Sequence, residues 1–287
     1  MLLDDEVEAI DNLIAYLIFL DSIQVNNLPN IANMVTAPEL VFFLARQTAD
    51  EAIHSLSYGY ILNNMANAKR IEAITYKWRT NEKLLKRIQY VVELYDKHKN
   101  DNSPLGFLVL LIANYLLEGL YFYNGFQFFH NLASRGLMVG TDIQIKYIQR
   151  DENIHCIAFM NAINIFKAEN PDFDVSGVIK DMFTKAVELE LEFAKDIIGN
   201  KILGMTEKTI EDHTYYLANK RLKDIDEEQF FPKTKNPYKH LDLIASIDDE
   251  DTNRANQFEV TSTTYKSPEI LVGWDKFDSR IKLTDSK

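Results

Sequence analysis

Cysteine is nearly absent: Cys156 is the single thiol in 287 residues. One thiol cannot close an internal disulfide and cannot build a thiolate-rich metal site, so a reducing cytoplasm is the expected setting (a host-cell cytoplasm for a viral chain). Glycine and proline are scarce, at 10 and 7 residues. So few turn formers fit long helices better than many short strands, and neither hairpin signals nor an internal repeat is visible. Tryptophan occurs only at Trp78 and Trp274. Positive charge is in deficit, with 31 Lys and Arg against 43 Asp and Glu and a net charge of −12. Without a segregated basic patch such a chain repels a polyanion, so nucleic acid is not an expected partner. The N-terminal MLLDDEVEAIDN has no basic region of a signal peptide. The most apolar run, residues 105–117, already contains Asn114 and falls short of the ~20 residues that span a bilayer, so no membrane is expected either.

What is present suits a large core: 46% of residues are hydrophobic and 26% charged, and the mean hydropathy is −0.21. Ile10, Leu13, Ile14, Leu17, Ile18 and Leu20 recur at helical spacing and predict a helix over 3–24, ended by Asn26-Asn27-Leu28-Pro29-Asn30. Thr36-Ala37-Pro38-Glu39 predicts the start of a second helix, with Thr36 as N-cap, reaching residue 68. Residues 69–99 are more charged and predict shorter outer helices. After a capped loop at Ser103-Pro104, one long apolar helix is expected over 104–134. Thr141 should cap a helix over 142–167, and two amphipathic helices should follow over 175–198 and 206–224. The expected fold is all-α: a four-helix bundle core with extra helices over residues 1–240, and a flexible tail over 241–287 that orders on docking a partner.

Two of these helices carry Glu-x-x-His, as Glu51-Ala52-Ile53-His54 and Glu152-Asn153-Ile154-His155. Positions i and i+3 lie about 60° apart on a helix, so each motif presents a carboxylate and an imidazole together. Asp21 closes the apolar run Leu17-Ile18-Phe19-Leu20, and Glu118 sits between Leu116-Leu117 and Leu120. A buried carboxylate must pair, protonate or bind metal. Four carboxylates and two imidazoles suit two ions of the iron or manganese kind, and ferritin-like dimetal bundles are built this way. Tyr58 follows His54 by four residues and shares its face. Phe122, Phe126 and Ile148 stand on the same helices as the acids and could wall it off. His98, His130, His213 and His240 have no such company and read as surface or structural residues.

In these motifs the chain resembles the small, radical-generating subunit of class I ribonucleotide reductase, of the class Ia type. Leu20-Asp21-Ser22-Ile23-Gln24, Glu51 through Tyr58, Glu118-Gly119-Leu120-Tyr121-Phe122 and Arg150 through His155 carry the likeness, which covers residues 5–240. The resemblance implies metal ligation by Asp21, Glu51, His54, Glu118, Glu152 and His155. It implies a stable radical on Tyr58, formed when the reduced metals meet O₂, in a pocket of Phe122, Phe126 and Ile148. Asp151 would orient His54 from behind, as carboxylates behind metal-bound imidazoles do. The Ser-x-Ser-Tyr spacing after His54 resembles the iron-using pattern, so two iron ions are expected ahead of manganese or a mixed pair. The activity implied is ribonucleoside-diphosphate reduction, thioredoxin- or glutaredoxin-dependent, carried out only with a large subunit to which the radical passes. A homodimer is implied, with a tail in which Tyr265 relays the radical and Ile270, Leu271, Trp274 and Phe277 anchor docking.

Family members usually carry a further N-terminal segment with a tryptophan that feeds electrons to the metals, and neither Trp78 nor Trp274 matches it. A separate N-terminal polypeptide, a truncated chain and a different electron path all account for that, and the isolated chain is expected to hold metal but to generate or transfer its radical poorly. The alternative reading is a ferritin-like dimetal oxidase or oxygenase acting on its own substrate.

Overall fold

The structure is a computed structural model and describes residues 1–241. Among these residues there is no strand, and nine α-helices run in order. They are α1 (Asp4–Ala32), α2 (Pro38–Met65), α3 (Ala68–Thr75), α4 (Glu82–His98), α5 (Pro104–Leu116), α6 (Tyr123–Ser134), α7 (Val139–Glu169), α8 (Ser176–Ile197) and α9 (Glu207–Asp224). A 3-10 turn, Lys77–Arg79, precedes α4, and a π-turn, Leu117–Tyr121, joins α5 to α6. Contacts run α1 to α2, α2 to α7, α7 to α5 and α5 to α1, which closes a four-helix ring. Helices α4, α8 and α9 pack outside it. This is the all-α, ferritin-like bundle with extra helices.

Several boundaries differ from the sequence expectation, each for a local reason. The first helix does not stop at Asn26 but runs through Pro29 to Ala32. Proline removes the bond to the carbonyl four residues earlier, and near a helix end that loss is offset by apolar burial. Leu28 and Ile31 are both fully buried, so the added helical residues seat apolar side chains in the core. Thr36 does not cap α2. Ala37 holds the N-cap position with no side-chain bond, and Pro38 at the first turn supplies the fixed φ instead. Thr141 does not cap α7 either: the helix begins at Val139, after Met138 turns the chain with φ of 52°. Ser103 caps α5 as expected, its Oγ accepting from the Gly106 amide at 3.0 Å, and α9 is capped by Thr206, whose Oγ1 accepts from the Thr209 amide at 3.1 Å.

The most consequential difference is inside the apolar stretch 104–134. It is not one regular helix, because the π-turn inserts a residue at Leu117–Tyr121. Such insertions concentrate at functional sites, since they shift the phase of the side chains they carry. Glu118 lies within it. The stretch Pro104–Ser134 is long and apolar enough to cross a membrane, but 89% of its most apolar window is buried inside the bundle, where it serves as the core. Nor is the 69–99 region merely peripheral: α4 buries Leu84, Arg87, Ile88, Val91 and Tyr95. His98, His130 and His213 are all buried and structural, while His240 is exposed.

Candidate metal centre

Asp21 on α1, Glu51 and His54 on α2, Glu118 on the π-turn, and Glu152 and His155 on α7 meet inside the four-helix ring. All six are at most 3% exposed, so water cannot solvate their charges. Glu51 places Oε1 3.2 Å from His155 Nδ1 and Oε2 3.5 Å from His54 Nδ1. Glu152 mirrors it, with Oε1 3.1 Å from His54 Nδ1 and Oε2 2.8 Å from His155 Nδ1. Each of these two carboxylates therefore faces both imidazoles, one oxygen apiece. Glu118 Oε2 lies 3.6 Å from His155 Nδ1. Two overlapping groups result, Glu51 with Glu118, Glu152 and His155, and Asp21 with Glu51 and His54. Within each group the possible ligand atoms all lie within 4.8 Å of one another.

The electrostatics show what the cluster is short of. Burial, then the charge of Glu51, pushes the carboxyls of Asp21 and Glu118 well above the usual range. Burial would raise Glu152 too, but His54 and His155 outweigh it and hold its pKa low. Burial would lower both imidazoles. Glu152 and Asp151 overcome this at His54, and Asp50, Glu118 and Glu152 do so at His155, so both stand well above the ordinary histidine value. The cluster is therefore short of positive charge. Both oxygens of Asp21, Glu51 Oε2, His54 Nδ1, Glu118 Oε2 and Glu152 Oε1 are buried without an aligned hydrogen-bond partner. Orphaned polar atoms of this kind are costly, and cations among them would satisfy all six. The donor set of carboxylate oxygens and imidazole nitrogens fits divalent iron or manganese.

Around the cluster, carboxylates stand behind the imidazoles in a crossed arrangement. His54 Nε2 is 3.5 Å from Asp151 Oδ2, and His155 Nε2 faces Asp50 Oδ2 at 3.7 Å. Asp151 is held by Arg150 at 2.9 Å and Asp50 by Arg46 at 2.7 Å. Burial would raise the Asp50 carboxyl, but His155 and Arg46 bring it down to about 2. Two amides fix Glu118 Oε1: Gln24 Nε2 donates to it, and Gln47 Nε2 donates at 2.8 Å. Tyr95 donates its hydroxyl to Gln24 Oε1 at 2.9 Å, which orients the amide.

The small chain of ribonucleotide reductase, as a family, matches this sequence over residues 1–237. The chain belongs to that family. Its relatives include the ribonucleoside-diphosphate reductase subunit beta of Treponema pallidum, 35% identical over 270 residues that cover 93% of this chain and 77% of the relative. The subunit beta of Halalkalibacterium halodurans is 31% identical, covering 96% and 80%. Among solved structures, the ribonucleotide reductase R2 subunit from Clostridium botulinum superimposes with a TM-score of 0.81 at 38% identity, covering 84% of this chain and 77% of that one. A dimanganese(II)-NrdF from Streptococcus sanguinis shares the fold at a TM-score of 0.72 and 19% identity, covering 84% and 83%. As a ribonucleotide reductase small chain, the protein is the partner of a large subunit in an oxidoreductase, and its carboxylate–histidine site is of the dimetal type.

Tyr58 is fully buried on α2, one turn beyond His54, and its hydroxyl has no hydrogen-bond partner. Burial pushes the phenol well above its ordinary pKa, and the charges of Asp21, Glu152 and Glu51 push it further. Phe122, Phe126 and Ile148 are buried, and the first two stack at 5.7 Å. Tyr265 and the anchors Ile270, Leu271, Trp274 and Phe277 lie outside the described residues. Sequence reasoning missed Asp50, Gln24, Gln47 and Tyr95. Asp50 was visible in principle, because both motifs read Asp-Glu-x-x-His. Gln24 follows Asp21 by three and Gln47 precedes Glu51 by four, so both share a ligand face. Tyr95 arrives through tertiary packing of α4 and has no local signal.

The crossed support makes a specific prediction. Asp50→Ala and Asp151→Ala should each lower anaerobic Fe(II) affinity by about 10- to 100-fold, the usual effect of removing the group behind a metal-bound imidazole. They act on different imidazoles, so the double variant should lose roughly the product. Calorimetric titration with Fe(II) reads this directly, and unchanged affinity in both single variants would contradict the arrangement.

Proposed function

We propose that this chain holds two iron ions between Asp21, Glu51, His54, Glu118, Glu152 and His155 and stores an oxidising equivalent as a radical on Tyr58 for the large subunit. The observation that carries the reading is Tyr58 itself: a fully buried phenol without a hydrogen-bond partner, one helical turn from the dimetal-type cluster and within the field of its carboxylates. Glu51 and Glu152 each face both imidazoles and would hold the ions together with them. Asp21 and His54 complete one side, and Glu118 and His155 the other.

When bound, the metals would supply the chemistry with O₂ that oxidises Tyr58. The protein's own part is to place and protect. Burial and then the charge of Asp21 keep the phenol protonated until it is oxidised. Phe122, Phe126 and Ile148 exclude water and reductants from the oxidised ring, which suppresses side reactions. In the tail, Tyr265 is the relay toward the large subunit, with Ile270, Leu271, Trp274 and Phe277 as docking anchors. Manganese is the second metal reading, since both ions accept the same donors. The cytoplasm is the proposed site of action.

A homodimer belongs to the same proposal. Phe42, Ile53, Leu56 and Tyr60 are exposed on α2, and Tyr147, Ile154, Ile157 and Ile165 are exposed on α7, which packs against it. Exposed apolar side chains on two helices that pack together are what a dimer interface would cover.

Reconstitution tests the function. After Fe(II) and O₂, the chain should show a tyrosyl radical by electron paramagnetic resonance and support deoxyribonucleotide formation with a large subunit. Tyr58→Phe should bind the same amount of iron yet give neither signal nor product. A Tyr58→Phe protein that still supports turnover would remove the radical assignment. In sedimentation equilibrium the protein should behave as a dimer, and a monomer at micromolar concentration would remove that part.

A further inference from the structure

In a regular helix each carbonyl is closed by the amide four residues on. A π-turn stretches that bond to five and leaves neighbouring carbonyls poorly served. In a dry core they need other donors. Here the Gly119 carbonyl accepts from Arg221 Nε at 3.1 Å, and the Tyr121 carbonyl accepts from Arg87 Nη2 at 2.5 Å. Arg221 comes from α9 and Arg87 from α4, both outside the four-helix ring. Both guanidiniums are buried, at 6% and 1% exposure. Arg87 is paired with the buried Glu190 and lies 4.0 Å over the Tyr16 ring. Fully buried arginine is rare and costly to place, and apolar residues would fill the same volume at lower cost.

Gly119 adds an independent observation. A Cβ at this position would lie 2.8 Å from Arg221 Nε and 3.0 Å from Cys156 Sγ. Alanine is the better helix former. Glycine here keeps room for the guanidinium at the residue directly after Glu118. The Glu118 carboxylate is already held at Oε1 by Gln24 and Gln47, so its remaining freedom is the backbone of the turn.

We propose that Arg221, together with Arg87, is a positioning residue for the metal centre: the two guanidiniums hold the π-turn, and through it they set where Glu118 presents its free oxygen. The inference rests on the dimetal reading above.

The test is anaerobic Mn(II) binding by the full chain, read from the loss of the free-ion resonance, with amide exchange of residues 119–122 followed in the metal-free protein. Arg221→Met and Gly119→Ala should each weaken Mn(II) binding about tenfold, with Arg221→Lys between them and the parent, and each should speed exchange in the turn. In a Glu118→Ala background the Arg221→Met change should cost less than about twofold, because its effect runs through that carboxylate. Equal losses with and without Glu118 would overturn the inference, as would a neutral Gly119→Ala. If Arg221→Met fails to fold, Gly119→Ala carries the test, since it keeps the guanidinium and removes only its room. Glu118→Ala with undiminished Mn(II) binding would instead overturn the dimetal reading, and the inference with it.

Discussion

Four carboxylates in a space that water cannot enter repel one another and demand positive charge. Asp21, Glu51, Glu118 and Glu152 are each fully buried. Two imidazoles cannot neutralise four such groups, so in the metal-free protein two of the acids are pushed toward protonation while both histidines are pushed toward the charged form. Metal ions resolve this conflict without protons. Much of the rest of the structure is arranged around that demand. Asp50 and Asp151 aim the imidazoles, Arg46 and Arg150 hold those aspartates, and Gln24 and Gln47 occupy the oxygen of Glu118 that is not the one near His155.

The helices depart from regularity where the site needs it. Regular geometry over residues 104–134 would give an uninterrupted core helix, whereas the π-turn presents Glu118 in a phase of its own. Other deviations are tolerated because core packing offsets them. Pro29 survives inside α1 since Leu28 and Ile31 are seated beside it. The Arg87–Glu190 pair makes sense as part of the scaffold that holds the turn and not as a surface ion pair displaced inward.

Much of the site was legible in the sequence because its signal is local. Glu-x-x-His puts two donors on one face by helical geometry alone, and an acid in a run of leucines, such as Glu118, is conspicuous. The doubled Asp-Glu-x-x-His was equally local, yet only Asp151 was drawn from it, and its crossed pairing depends on how α2 and α7 pack. The π-turn had no signal: residues 117–121 have ordinary helix-compatible residues around one glycine, and the turn is held by donors on α4 and α9 that sequence spacing cannot bring together. Helix boundaries failed where capping rules met tertiary packing, at Pro29, Thr36 and Thr141.

If the buried acids exist to bind two metal ions, crystals of the metal-loaded protein, measured at the absorption edge of the added iron or manganese, show it most directly. The expected result is two anomalous peaks in each chain, both between Glu51 and Glu152, one on the Asp21–His54 side and one on the Glu118–His155 side. Peaks elsewhere, or no peak among these six residues at saturating metal, would contradict it.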